Sequence, residues 1–315
     1  MERVMKMINT TIILVGLTFI NVSAQMAILE DVEKGALTVR DGQVDVLTYR
    51  FGDQLKEGLV PEQTRSCYIH PLYSLNGKVL TEDFPEDHLH HHGIFWTWPI
   101  VKTRGQDTQT WHPTNLRQLF VRWLKREIKD EEAKLSIENA WKLDGKEIVA
   151  KEIITLFVRQ ADEMGRAIDL DITLEAVGGP LTLQGSQDQQ KGYGGLSLRG
   201  APMFKGMTMA TDQGLEDKDS NNKRFLWVDM SIKEAGIAIF VSPDHPGFPS
   251  TWSIRNSYAG FCNISWPGLN PVVLQPDQPI ALRYRMYVHR GDTTAGHIRE
   301  AYEIYRSKKS FGSRT

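Results

Sequence analysis

The chain has 315 residues, a formal net charge of -2 at pH 7, 24% charged residues and 41% hydrophobic ones. Acidic and basic side chains are interspersed throughout, which gives no reason to expect nucleic acid or an anionic membrane surface as a partner. The apolar content is enough for one large core, and beyond residue 24 no apolar stretch reaches spanning length.

Arg3 and Lys6 precede an apolar run from Ile12 to Ile20, which leads to Val22-Ser23-Ala24 before Gln25. That order predicts a cleavable secretory signal over residues 1–24 and a periplasmic or secreted product. A membrane anchor fits less well, because Gly16, Thr18 and Asn21 interrupt the run. A single domain is expected over 25–315, with no membrane contact once the signal is removed.

Strand patterns begin with Leu37 and Val39, turn at Asp41-Gly42 and continue from Val44 to Phe51 as a hairpin. Leu135 to Leu143 and Ile148 to Val158 flank Asp144-Gly145 in the same way. Ile168, Leu170, Ile172 and Leu174 alternate with polar residues, predicting a strand with one apolar and one wet face. Further strands are expected over Phe225 to Ile232, Gly236 to Val241, Phe261 to Trp266 and Ile280 to Val288. Only Ala295 to Ser307 has helical spacing, with Ile298, Tyr302 and Tyr305 on one face and Thr293 and Thr294 as caps. The fold class is therefore all-β, a large antiparallel sandwich with a short C-terminal helix. Long loops are expected over Leu75 to Pro113, Gln184 to Asp219 and Pro243 to Gly260. Cys67 and Cys262 are either a disulfide or two buried thiols, the latter being the simpler reading.

Five of the 9 histidines fall between His70 and His92. In an extended segment His88, His90 and His92 point one way and His91 the other. Converging imidazoles can supply an acid and a base near neutral pH, or bind a divalent metal completed by His70, Glu82, Asp83, Glu86 or Asp87. The spacing does not demand a metal, so that cofactor is left open. Phe95, Trp96, Trp98, Trp111 and Trp252 are either platforms for sugar rings or core residues.

A second stretch, Gln187 to Arg199, combines glycines with Lys191, Tyr193 and Arg199, which offer a cation, a phenol and an anion clamp. A third, Ser242 to Asn256, contains Asp244 beside His245. No GxSxG elbow, HExxH motif, phosphate loop or cysteine nucleophile arrangement occurs.

His70-Pro71-Leu72-Tyr73, Asp87-His88-Leu89-His90-His91, the run from Lys191 to Arg199, Asp244-His245-Pro246 and the strand from Tyr284 to Gly291 resemble the bacterial family labelled PmoA-like, a domain of unknown function. The label misleads, since a true methane oxygenase subunit of that name spans the membrane many times. The resemblance implies a secreted β-sandwich of glycan-degrading bacteria, of the supersandwich kind found in galactose mutarotases. It implies site positions at His70, His88, His90, His91, Lys191, Tyr193, Arg199, Asp244 and His245. One departure is His92, where the family leads one to expect Arg.

The expected function is a carbohydrate-active enzyme, an epimerase, lyase or glycoside-processing enzyme, acting on a small molecule or oligosaccharide. His88, His90, His91, Lys191 and His245 are its candidate catalytic residues. His70, Trp96, Trp98, Tyr193, Arg199 and Asp244 are its candidate substrate contacts. A non-catalytic glycan binder and a metal-dependent oxygenase or hydrolase are the alternatives.

Overall fold

The computed structural model describes residues 25–112, 114–257 and 260–307, so the signal expected at 1–24 lies outside the described residues. Two nine-stranded sheets and one four-stranded sheet make up the fold. The first sheet runs Met26–Asp31, Ala36–Asp41, Val44–Arg50, Tyr68–Leu72, Ile94–Thr97, Gly195–Arg199, Phe261–Ser265, Thr251–Arg255, Ser220–Arg224. The second runs Gly214–Leu215, Thr208–Thr211, Trp227–Ser231, Gly236–Val241, Ile280–His289, Gly165–Ala176, Glu147–Arg159, Glu132–Leu143, Leu116–Lys129. Neighbours are antiparallel, and both hairpins predicted from Asp-Gly turns form where expected.

One hydrophobic core draws on both large sheets, with Leu37, Val39, Ile94 and Trp96 from the first and Leu135, Ile137, Leu156, Leu170 and Ile239 from the second. Each such side chain contributes about 1.5–3 kcal/mol by leaving water. Trp96 and Trp98 belong to this core and not to a ligand surface, which corrects the expectation that they stack on sugar. Both are fully buried, Trp96 Nε1 donating to Glu152 Oε2 and Trp98 Nε1 to the Trp266 carbonyl. Trp252 is likewise buried, its Nε1 donating to the Phe225 carbonyl. The expected 75–113 loop actually holds the strands Ile94–Thr97, Ile100–Thr103 and Gln106–Thr108.

Glu152, 0% exposed, sits in the apolar interior as the acceptor of a polar knot. Its Oε2 accepts from Trp96, Trp141 and Gln118, and its Oε1 from Asn139. Burial pushes its carboxyl above the ordinary range, while those donors oppose the rise. Gln118 Oε1 in turn accepts from Arg65 Nη2 at 2.6 Å, so one amide links a buried carboxylate to a buried guanidinium.

Three details depart from the sequence reading. Leu116–Lys129, an edge strand of 14 residues, was hidden by charges that suit an exposed edge. The supposedly wet face of Gly165–Ala176 is partly covered, and Asp169 on it is buried between Arg285 and Arg159. The helix spans Ile298–Ser307 and buries Ile298, Tyr302 and Tyr305 as expected, but Thr293 does not cap it. Its hydroxyl donates to Asp229 instead, at 2.6 Å. Cys67 and Cys262 are both free and buried, which settles the pair as two thiols.

Candidate functional site

The segment between Tyr68–Leu72 and Ile94–Thr97 is not extended at the histidines. The His88 amide donates to the Pro85 carbonyl and the His91 amide to the His88 carbonyl, giving two successive turns. Strand alternation therefore does not apply, and His88, His90 and His91 are brought to one side. Gly93 then returns the chain to the sheet with φ +47°, where a Cβ would lie 2.3 Å from the Ile69 carbonyl oxygen.

The rings form a compact array. His91 is sandwiched between His88, at 4.7 Å and 11°, and Phe261, at 4.6 Å and 12°. His90 stands edge-on to His91 at 4.6 Å and lies 4.1 Å from His112. These four imidazoles form one wall of a cavity of about 280 Å³. Trp111 and Tyr193, 4.7 Å apart, and Phe261 form its aromatic side. Lys191, Ser253 and Arg255 complete its polar rim. A second cavity of about 400 Å³ shares His88, His90 and His112 and is otherwise lined by Glu62, Gln63, Glu86, Asp87, Leu89 and His92.

Burial, followed by the neighbouring His112 and His88, takes His90 down to about 3. Burial and the adjacent His90 and His88 hold His91 well below the ordinary histidine value, and burial with His88 lowers His112. These three rings are neutral at pH 7, each offering one donor and one acceptor nitrogen. His91 is 2% exposed, and among the described residues its Nδ1 has no hydrogen-bond partner.

His88 differs in having a carboxylate partner, its Nδ1 lying 3.1 Å from Asp87 Oδ2. Arg199 Nη2 holds Asp87 Oδ1 at 2.9 Å, and Arg199 Nε bonds Glu82 Oε2 at 3.1 Å. Burial raises Asp87, but the His88 bond and the Arg199 charge bring its carboxyl below the usual range. Arg199 thus stands one layer behind the cavity as the anchor of an Asp–His pair, and does not itself line the cavity.

His92 packs on Tyr68, Phe84 and Phe95, with Nδ1 2.8 Å from Asp83 Oδ1, while Tyr68 donates to Asp83 Oδ2. The position read as a departure from Arg is therefore a largely buried His–Asp pair behind the wall of the larger cavity. His70 contacts Thr81 through Nδ1 at 3.0 Å, and burial takes it to about 4; it lines neither cavity.

His245 and Asp244 also fall outside. His245 is buried against Tyr284 and Trp266, accepts from the Gly247 amide at Nδ1, and lies 2.9 Å from the Tyr284 hydroxyl through Nε2. Asp244 is exposed beside it and lines neither cavity. The structure thus brings together His88, His90, His91, Lys191 and Tyr193 from the expected set. It leaves out His70, Trp96, Trp98, Arg199, Asp244 and His245.

Among the described residues no group of three or more His, Cys, Asp or Glu side chains is disposed to hold a metal ion. Three of the four acids offered for that purpose are committed elsewhere, Glu82 and Asp87 to Arg199 and Asp83 to His92. Sequence reasoning missed His112, Ser253, Arg255 and Phe261. His112 directly follows Trp111 and had a local signal in that pairing. The other three come from strands distant in sequence, and only the sheet order brings them near.

A family model described as "Family of unknown function (DUF6807)" matches residues 36–303, and the chain belongs to that family. The family's description speaks only of unknown function and does not carry the PmoA-like label. No curated protein matches the chain. Among solved structures, an aldose epimerase homologue (GalM) from C. elegans is similar at 9% identity over 85% of this chain and 100% of its own, with a TM-score of 0.35. A galactose mutarotase related enzyme from Lactobacillus acidophilus is similar at 7% identity over 84% of this chain and 97% of its own, with a TM-score of 0.39.

Proposed function

We propose that this family member is an exported carbohydrate-active enzyme whose smaller cavity receives a sugar ring and whose Asp87–His88 pair moves a proton on it. The observation that carries the reading is His91. It stands in one cavity wall with His88, His90 and His112, stacked between His88 and Phe261, so that four imidazoles converge on the space a ligand would fill. His90, His91 and His112, being neutral, match hydroxyl groups that both donate and accept. Tyr193, partly exposed and packed on the buried Trp111, supplies a flat face for the C–H side of a pyranose.

His88 is the ring suited to proton transfer, because the Asp87 carboxylate 3.1 Å from its Nδ1 can stabilise the charge it acquires. No Asp or Glu lines the smaller cavity, and paired-carboxylate glycoside hydrolysis needs two acids flanking the bond. Epimerisation or β-elimination, which need a base and a stabilised anion, fit the lining better. A binder without catalysis would use the same walls, so the two readings separate on His88 and not on the aromatics.

The test combines a panel of mono- and oligosaccharides with two variants. His91→Phe keeps the ring stack and removes both nitrogens; it is expected to fold and to lose saccharide binding. His88→Asn is expected to retain binding and lose turnover. Binding without turnover of any panel member would make the chain a binder. Failure of every saccharide to bind the wild type would end the carbohydrate reading.

A further inference from the structure

The smaller cavity is unevenly charged. Its imidazole wall is neutral and none of its lining residues is acidic, yet two cations, Lys191 and Arg255, stand on its rim. Arg255 is half-buried on the strand Thr251–Arg255 and held by neutral oxygens alone. Its Nη1 donates to the carbonyls of Ser220 and Ile254, and its Nη2 to Asn221 Oδ1 at 2.8 Å. Among the described residues it makes no ion pair, whereas Arg166, Arg199 and Arg285 each face a carboxylate. The guanidinium is therefore locked in position with its charge uncompensated. Lys191 bonds Asp188 at 2.9 Å, but Asp188 is largely exposed, and such a pair is weak enough for a better acceptor to compete. Across the shared histidines the larger cavity has the opposite character, with Glu62, Glu86 and Asp87 on it.

From the placement of Arg255 and Lys191 we infer that the ligand is an acidic saccharide, whose carboxylate or sulfate oxygens meet these two cations while its ring lies against the histidines. The inference rests on the saccharide reading above and adds the charge of the substrate to it. A planar guanidinium matches the two oxygens of a carboxylate in fork geometry, and a sulfate ester presents the same oxygen chemistry. Hydrogen bonds to charged groups are stronger than neutral ones by enough to favour the acid over the parent hexose about tenfold or more.

Calorimetric titration of the full chain with hexose, uronate and hexose 6-sulfate in the gluco, galacto and manno series tests this. The expected result is that in at least one series the uronate or the sulfate binds about tenfold tighter than the hexose, less so as salt rises. The tighter of the two acids then names the oxyanion. In Arg255→Gln the ratio of acid to hexose affinity is expected to fall below about threefold, and in Arg255→Lys to recover in part. If hexose binds as tightly as both acids in every series, or if the preference survives in Arg255→Gln, the acidic-saccharide inference is wrong while the site reading stands. If neither hexose nor acid binds the wild type, the saccharide reading itself fails.

Discussion

Acidification from about pH 7.5 to about pH 5 is expected to weaken the fold through His245, and His245→Asn is expected to remove that share of the loss. The Gly247 amide donates to His245 Nδ1 at 3.0 Å, so the neutral ring carries its hydrogen on Nε2, towards Tyr284. A second proton would have to sit on Nδ1, where it would face the Gly247 N–H. Burial lowers the ring from 6.5 to about 3. A base lowered in this way leaves stability intact above its unfolded value and erodes it as pH falls from about 6.5 towards 3, because only the unfolded chain takes up the proton. At about pH 5 that uptake favours the unfolded state by roughly 2 kcal/mol. Asn offers Oδ1 as the acceptor for Gly247 but does not titrate. Urea unfolding of both proteins at both pH values measures the difference, since His70, His90 and His91 titrate in each and cancel. The wild type is expected to lose about 2 kcal/mol more than the variant over this interval. An equal loss in the two proteins would refute the assigned role of His245.

Replacing Glu152 by Ala would leave the donors of Trp96, Trp141, Asn139 and Gln118 facing a void and is expected to cost about 3–5 kcal/mol in urea unfolding, with Glu152→Gln costing clearly less. Asp87→Asn is expected to lower turnover by about 10²- to 10⁴-fold while changing saccharide affinity only slightly, as measured by steady-state kinetics beside calorimetry. Cys67 and Cys262, buried and pushed up to about 12, are expected to resist a thiol reagent in the native protein and to react in denaturant. Rapid native labelling of either thiol would contradict their placement.

The sheet framework was legible because it is written in local terms. Asp-Gly turns and period-two alternation specify hairpins from neighbouring residues, and both Asp-Gly hairpins formed as read. The aromatic residues were not legible in the same way. Trp96 and Trp111 look alike in sequence, yet Trp96 points into the core at Glu152 while Trp111 lines the cavity. Face assignment needs the strand, and the strand Ile94–Thr97 stands in a stretch whose turns and prolines read as loop. Arg255 lay in the third stretch and Phe261 opened a predicted strand, but their place beside the histidines follows from the order of strands across the first sheet, which no local pattern encodes.

The histidine run shows most clearly what spacing leaves open. Both His88 and His92 are paired with an aspartate, at 3.1 and 2.8 Å, and the residue types alone would assign them the same chemistry. Their surroundings separate them. The His92–Asp83 side chains are 3% and 18% exposed, and Tyr68 takes the second carboxylate oxygen, so that pair is tied down by hydrogen bonds and rings and meets only the larger cavity. The His88–Asp87 side chains are 35% and 41% exposed, and the ring borders both cavities. A proton delivered to His88 can reach a ligand, whereas one on His92 is shared with a carboxylate already bound to a buried phenol. Two turns over a few residues create this division, because they carry His88, His90 and His91 to one side and leave His92 to lock the segment against the sheet.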